Sequence, residues 1–405
     1  MNTWFLITII TSLGVFTFSA ADELLDFSSA RKIILSRNTG LKSVQSETEA
    51  ATAGVAQAGT FPNPSAGLSL DKFGANEIEI SVEQTFELGD KRKYRTEAAQ
   101  KDVEAVINNG NLTRLELEAE IIRRFIPIAV TESKLAVVDS ILKITELTKD
   151  QIKRRVDAGG AKLTDLIRIE IDIEQLQLEH EELLKENQQA RVKFAALGGE
   201  HDSALKQVTG ELDHNSAIPD LSSIRKSIKE NPVLTAYTIE QARLQTERKL
   251  LRSEAIPDLI LSAGYLRDNA DNSNSPIFGV SMSLPLFNKN NAAQKQIELR
   301  CKSIGEQREN ALRLLTADIE EIHSKLIMTD QKLQSLQSST IPKAQRVYEM
   351  LQEYYNAGNA GFLDLTGAQA EMLQLKLLMI DLQQTRALAL ADLMQRSAAT
   401  IQIVK

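Results

Sequence analysis

The chain has 405 residues, with 47 Lys and Arg against 55 Asp and Glu, a net charge of −8, nine prolines and one cysteine. The acidic balance argues against nucleic acid as a partner, and the single cysteine, Cys301, excludes an intrachain disulfide framework. Stability must then come from packing or from assembly of subunits.

Residues 1–21 carry no charge and hold an apolar core from Trp4 to Phe18, followed by the small residues Ser19 and Ala21 before Asp22. That pattern predicts a secretory signal peptide over 1–21 and an exported mature chain; the alternative is a membrane anchor, for which the apolar run is short. No cysteine stands at the cleavage point to carry a lipid. After Ala21 no segment is apolar for the length of a spanning helix, which excludes an α-helical membrane protein.

The mature chain opens with two predicted helices, Leu24 to Arg37 and Leu41 to Gly59. Phe61-Pro62-Asn63-Pro64 cannot continue a helix, because proline lacks the amide and disfavours helical geometry in the residue before it. Period-two alternation follows. Ala66, Leu68 and Leu70 alternate with small and polar residues, and after Phe73-Gly74-Ala75-Asn76 the pattern resumes at Ile78, Ile80 and Val82 against Glu77, Glu79, Ser81 and Glu83, closing at Phe86 and Leu88. Two strands in a hairpin at about 64–88 are expected. Lys91 to Asp157 then runs as one helix of about 100 Å, with Pro127 expected to kink or break it and Gly110 a weaker candidate. A turn at Ala158-Gly159-Gly160 returns the chain in a helix from Leu163 to Leu197.

After a polar linker, His201 to Pro219, the order recurs. A short helix runs to Ile228 and another from Pro232 to Glu254, and Ile256-Pro257 stands in the place of the first proline pair. A strand through Leu259, Leu261, Ala263 and Tyr265, a polar loop from Arg267 to Ser275, and a strand through Phe278, Val280, Met282, Leu284 and Leu286 form a second hairpin at about 257–287. A long helix from Lys289 to Asn356, holding Pro342, then turns at Ala357-Gly358 into a last helix to about Ile401.

The two halves are copies. At an offset of 199 residues, Ala158, Gly159, Ala161, Asp165, Leu166, Gln175, Leu176, Leu178 and Leu183 match Ala357, Gly358, Ala360, Asp364, Leu365, Gln374, Leu375, Leu377 and Leu382, nine identities in twenty-six positions. Average residue usage gives about one chance identity in fifteen to twenty positions, so the unit is duplicated. The domain organisation expected is a signal peptide at 1–21, a first repeat at 22–200, a linker at 201–219 and a second repeat at 220–405.

A strand pair that is apolar on one face and polar on the other is either a soluble sheet over a core or the wall of a membrane barrel. Everything else in this chain is committed to long helical hairpins, which leaves nothing to cover a soluble sheet and favours the barrel. Four strands cannot close one, since open edges in lipid leave backbone groups unpaired, but three copies supply twelve. The fold class expected is mainly α with membrane β.

The duplicated order, the proline-bracketed strand starts, Ser283-Leu284-Pro285-Leu286-Phe287-Asn288, Thr340-Ile341-Pro342-Lys343-Ala344, and the turns Val156 to Ala161 and Asn356 to Ala360 with a following Asp-Leu together resemble the TolC-like outer membrane efflux proteins over essentially the whole mature chain. Phe61 to Pro64 and Glu83 to Arg92 look most like the heavy-metal (CzcC-like) branch. The resemblance implies a homotrimer: a twelve-stranded β-barrel in the outer membrane continued by an α-helical tunnel in the periplasm. It also implies partnership with a periplasmic adaptor and an inner-membrane pump of the resistance-nodulation-division type. The function implied is a passive exit duct for a tripartite efflux system, with heavy-metal cations among its cargoes; a type I protein-secretion duct and a poreless periplasmic coiled-coil scaffold are the alternatives. A scaffold needs neither hairpin.

No catalytic constellation, cofactor motif or metal site is visible. His180, His201, His214, His323 and Cys301 are scattered among charged residues, and no glycine-rich phosphate loop or nucleophile elbow occurs. The candidate functional positions are at the hairpin turns. The resemblance places a ring of aspartates at the narrow periplasmic end, and Asp364 matches the first of two such positions while Gly367 departs from the second. Asp364 is therefore the candidate pore constriction, and Gly159, Gly160, Asp165, Gly358 and Asp364 form the candidate tip for adaptor docking. The competing role for Asp165 and Asp364 is helix capping, favoured by free amides and the helix dipole, and their presence in both copies supports it. The glycines fit the left-handed geometry of a helix C-terminus.

Overall fold

The computed structural model describes residues 25–71, 77–199, 204–213, 216–269 and 271–404. The expected signal peptide at 1–21, together with His201 and His214, lies outside the described residues.

The first copy begins with a two-residue strand β1 (Leu25–Asp26), then α1 (Phe27–Arg37) and α2 (Thr39–Ala58). The first helix starts later than expected, at Phe27, because the Asp26 carboxylate accepts from the Ser29 amide at 3.1 Å and caps it. Strands β2 (Ser65–Asp71) and β3 (Glu77–Phe86) lead into α3 (Lys91–Asp157) and α4 (Leu163–Ala195).

The connecting segment contributes β4 (Val208–Thr209), which pairs in parallel with β1. The second copy is α5 (Leu221–Ser227), α6 (Pro232–Ser253), β5 (Leu259–Asp268), β6 (Ser273–Met282), α7 (Asn291–Ser335), α8 (Ile341–Asn356) and α9 (Phe362–Ser397).

The two prolines of the long helices behave differently. Pro127 lies inside α3, which runs unbroken for 67 residues, so the expected break does not occur there. Its neighbours Phe125, Ile126 and Ile128 are fully buried, and the Thr131 hydroxyl donates to the Pro127 carbonyl at 2.8 Å; packing on all sides holds the helix through the missing amide. In the second copy the long helix is two helices. A π-helical turn, Leu336–Thr340, separates α7 from α8, and Pro342 sits in the first turn of α8, where a missing amide leaves no bond unmade.

The hairpins of the two copies join in one antiparallel sheet of order β2-β3-β5-β6. Each copy enters its long helix through a left-handed residue, Asp90 (φ 62°) and Asn290 (φ 57°). Below β3, the Lys91 ammonium reaches the Asp258 carboxylate at 2.6 Å, which also accepts from the Leu88 amide, tying one copy's helix start to the other's strand start. Arg95 grips the Glu87 carboxylate with two bonds and donates to the Ala58 and Thr60 carbonyls, fixing the hairpin to the end of α2. Strand β6 stops at Met282, short of Leu286, because its partner β5 begins at Leu259, directly opposite Met282. Conversely, the expected polar loop shrinks, since Arg267 pairs with Asn274 and its guanidinium donates to the side chains of Asn269, Asn272 and Asn274.

Two apolar cores hold the helices. One is centred on Phe125, whose ring lies 4.7 Å from Phe27 and 6.1 Å from Phe194, and it gathers α1, α5, the β1–β4 pair and the C-terminal segment around the middles of α3 and α7 and the C-terminal half of α9. Arg386, 4% exposed, fastens the connecting segment there: it pairs with Asp330 at 2.5 Å and donates to the Asp213 carbonyl and to Ser216. The second core, around Ile152, Ile169, Tyr348, Tyr355, Phe362 and Leu365, lies where the α3–α4 and α8–α9 turns meet. Among the described residues no helix is long and apolar enough to cross a membrane.

Candidate functional site: a two-faced sheet above paired hairpin tips

Register sorts most of the sheet's side chains by face, with Gln84, Arg267 and Asn274 the polar residues on the apolar side. Leu68 faces Ile80, Ile80 faces Tyr265 and Tyr265 faces Pro276, and in the next rows Val82 faces Ala263 and Ala263 faces Phe278. With Phe86, Leu261, Val280 and Met282 these form one continuous apolar face, and it is open: Leu68 is 66% exposed and Phe278 82%. The opposite face is mostly small, polar and acidic, with Ile260, Leu266 and Ile277 its large apolar residues. It carries Glu77, Glu79, Ser81 and Glu83 on β3, Ser262 and Gly264 on β5, and Ser275, Gly279 and Ser281 on β6, and no Lys or Arg from any of the four strands. Among the described residues, strands β2 and β6 each present an unpaired edge, so a single chain holds an open sheet and not a closed barrel.

At the other end of the long helices the two copies turn in the same way. Gly159 has φ +73° and Gly358 φ +80°, the left-handed conformation that glycine adopts without penalty. Gly159 donates to the Val156 carbonyl at 2.9 Å and Gly160 to that of Arg155 at 2.7 Å; Gly358 and Asn359 repeat the pattern onto Tyr355 and Tyr354 at 3.0 and 2.8 Å. This is a Schellman ending in each copy. Nothing lies within 4 Å of a side chain built at either glycine, so the turns protrude freely.

The two aspartates share a register position but not a bonding role. Asp364 is exposed and accepts from the Gly361 amide at 3.1 Å, capping α9. Asp165, half-buried at the third position of α4, donates its backbone amide to the Lys162 carbonyl, and α4 has no side-chain cap on Lys162. The structure brings Gly159, Gly160, Asp165, Gly358 and Asp364 to one end of the molecule. It adds a residue that the sequence did not flag: the Arg155 guanidinium donates to the Tyr355 carbonyl at 2.8 Å and lies 4.7 Å from the Tyr355 ring centre, latching one hairpin tip to the other. Burial raises the Tyr355 phenol above its ordinary value, the Arg155 charge working against that and Asp165 with it. The Tyr355 hydroxyl is buried and has no hydrogen-bond partner among the described residues.

His180 pairs with Asp139 at 3.1 Å, His323 contacts the Pro219 carbonyl at 3.2 Å, and burial raises the half-buried Cys301 thiol above its usual range. Among the described residues no group of three or more potential metal ligands occurs.

This four-stranded sheet continued by paired helical hairpins is a fold shared with solved outer membrane channels. The VceC outer membrane protein of Vibrio cholerae superposes with a TM-score of 0.74 at 16% identity, covering 92% of this chain and 96% of that one. The MtrE outer membrane channel of Neisseria gonorrhoeae, in its open state, gives 0.73 at 18% identity over 92% and 89%. Residues 223–398 match the family model described as outer membrane efflux protein. By sequence it is similar to the cobalt-zinc-cadmium resistance protein CzcC of Cupriavidus metallidurans, at 24% identity over 366 residues, 90% of this chain and 87% of that protein. It is also similar to the nickel and cobalt resistance protein CnrC of the same organism, at 24% over 61% of this chain and 62% of that one.

Proposed function

We propose that this protein is the outer-membrane exit duct of a tripartite efflux system. Three copies pair β2 of one chain with β6 of the next, closing a twelve-stranded barrel in the outer membrane, and their hairpins form the helical tunnel below it in the periplasm. One observation carries the reading: the four-stranded sheet is largely apolar and exposed on one face, largely small, polar and acidic on the other, and open at both edges. In soluble form that arrangement exposes apolar surface and unpaired edges at once, whereas in a closed barrel it puts the apolar face in lipid and the glutamates in the lumen.

The duct does no chemistry and supplies no energy; a periplasmic adaptor and an inner-membrane pump deliver the cargo. The similarity to CzcC and CnrC, named for resistance to cobalt, zinc, cadmium and nickel, supports divalent metal cations as cargo, and an acidic, base-free lumenal face suits cations. At the tip, Gly159, Gly160, Asp165, Gly358 and Asp364 form the docking surface for the adaptor, and a ring of three Asp364 side chains narrows the pore while each caps its own helix.

The test is a deletion of the gene in its host, complemented by the wild-type chain. The reading requires the protein in outer-membrane fractions as a trimer, and hypersensitivity to zinc, cobalt or cadmium in the deletion strain that complementation reverses. Recovery of the protein as a soluble periplasmic monomer would overturn it.

A further inference from the structure

Just above the tips, α4 and α9 part over α3 and leave a cleft of about 420 Å³. Its floor is polar and closed. Gln369, 5% exposed, donates to the Thr145 hydroxyl at 2.5 Å, and Thr145, 3% exposed, donates to the Ile141 carbonyl at 2.8 Å. Its walls are aliphatic, with Leu176 from α4 and Leu363 and Leu373 from α9.

The cleft's charge is of one sign. Asp172 and Glu179, seven residues apart and so on one face of α4, are the charged residues that line it, and among the described residues no Lys or Arg does. Arg168, one turn before Asp172, is the base that acts on that carboxyl, yet burial outweighs it and raises Asp172 above the usual carboxylate range. A group held in that condition gains from a cation arriving beside it. Gly367 keeps the α9 wall open, since nothing lies within 4 Å of a side chain built there.

We propose that this cleft binds an amphipathic organic cation of drug-like size, its apolar body against Leu176, Leu363 and Leu373 and its charge between Asp172 and Glu179. Ligand pockets of about 300–1,000 Å³ with apolar walls and a few convergent polar groups take molecules of that class. A bare metal ion would leave the aliphatic walls without a partner, and an anion would face two carboxylates. The site stands on the cleft within one chain and does not depend on the barrel.

The experiment is calorimetric titration of the purified full chain in detergent with tetraphenylphosphonium, using tetraphenylborate as an anion of the same shape. The expected result is saturable binding of the cation at one equivalent per chain and none of the borate. In the Asp172→Asn, Glu179→Gln double variant affinity falls about tenfold, the loss expected when two half-exposed ion pairs are removed. Gly367→Phe, which fills the opening without touching a carboxylate, abolishes saturable binding. Equal affinity for the two probes, unchanged affinity in the double variant, or no saturable binding by the wild type, as would follow if a neighbouring copy or another protein covers the cleft, each overturns the proposal.

Discussion

Replacing Arg155 with alanine tests the link between the two hairpin tips. In the folded chain its guanidinium gives one hydrogen bond to the Tyr355 carbonyl, at 2.8 Å, and lies over the Tyr355 ring at 4.7 Å. A hydrogen bond from a charged donor contributes about 1.5–3 kcal/mol and a partly exposed cation–π contact about 0.5–1 kcal/mol. Arg155 is half-buried, so the lower end of each range applies and the latch is worth about 2 kcal/mol. That shifts the equilibrium between joined and separated tips about thirtyfold in each chain. Pulsed electron–electron spin resonance between labels at Lys162 and Asn359, both exposed and one on each tip, in a Cys301→Ser background, reads the separation directly. The wild type should give a narrow distribution and Arg155→Ala a second, longer population. Tyr355→Leu keeps the carbonyl and loses the ring, so it should broaden the distribution less. Identical distributions for Arg155→Ala and wild type would refute the latch.

Three stability predictions follow from other parts of the fold. Phe125→Ala removes the ring at the centre of the aromatic trio and should lower stability by about 3–5 kcal/mol, seen as a large fall in the thermal midpoint or in the yield of folded protein. Gly89→Ala forces a side chain to within 2.6 Å of the Ile256 side chain at a φ of +76°, whereas Gly358→Ala meets only the backbone penalty at +80°, of about 1 kcal/mol; the first should lower the midpoint clearly more than the second. Arg243 holds Glu240 with two bonds of 2.8 Å, and that hydrogen bonding lowers the Glu240 carboxyl below its ordinary value of 4.5. A depressed folded pKa means the unfolded chain binds the proton first, so the stabilisation is present above the ordinary glutamate value and lost as pH falls through the folded one. The midpoint difference between wild type and Arg243→Met, worth no more than about 1 kcal/mol for so exposed a pair, should be constant at neutral pH and vanish in acid. A difference that grew in acid would contradict the assignment.

The strands were legible because period-two alternation with one apolar face leaves only one register that keeps Leu68, Ile80, Tyr265 and Pro276 in a row. The glycine turns were legible because a Schellman ending demands a left-handed residue, and both copies supply it. Proline alone was not enough to locate breaks. Pro127 is held inside α3 by buried neighbours that a one-dimensional reading does not see, whereas Pro342 follows a π turn that no residue type announces. The β1–β4 pair is two residues long on each side, too short for any periodicity. Arg155 was invisible because the duplication does not repeat it: at the 199-residue offset its counterpart is Tyr354, and that of Tyr355 is Val156. The capping role of Asp364 follows from its place three residues after Gly361, but a role in the pore depends on neighbouring chains.

The most direct test of the exit-duct reading is single-channel recording of the purified wild-type protein in a planar lipid bilayer, with Asp364→Ala beside it. The reading predicts discrete conductance steps with a preference for cations, and a larger conductance or weaker preference in the variant. Folded trimers, with and without the Asp364 ring, that insert into the bilayer yet pass no current would contradict it.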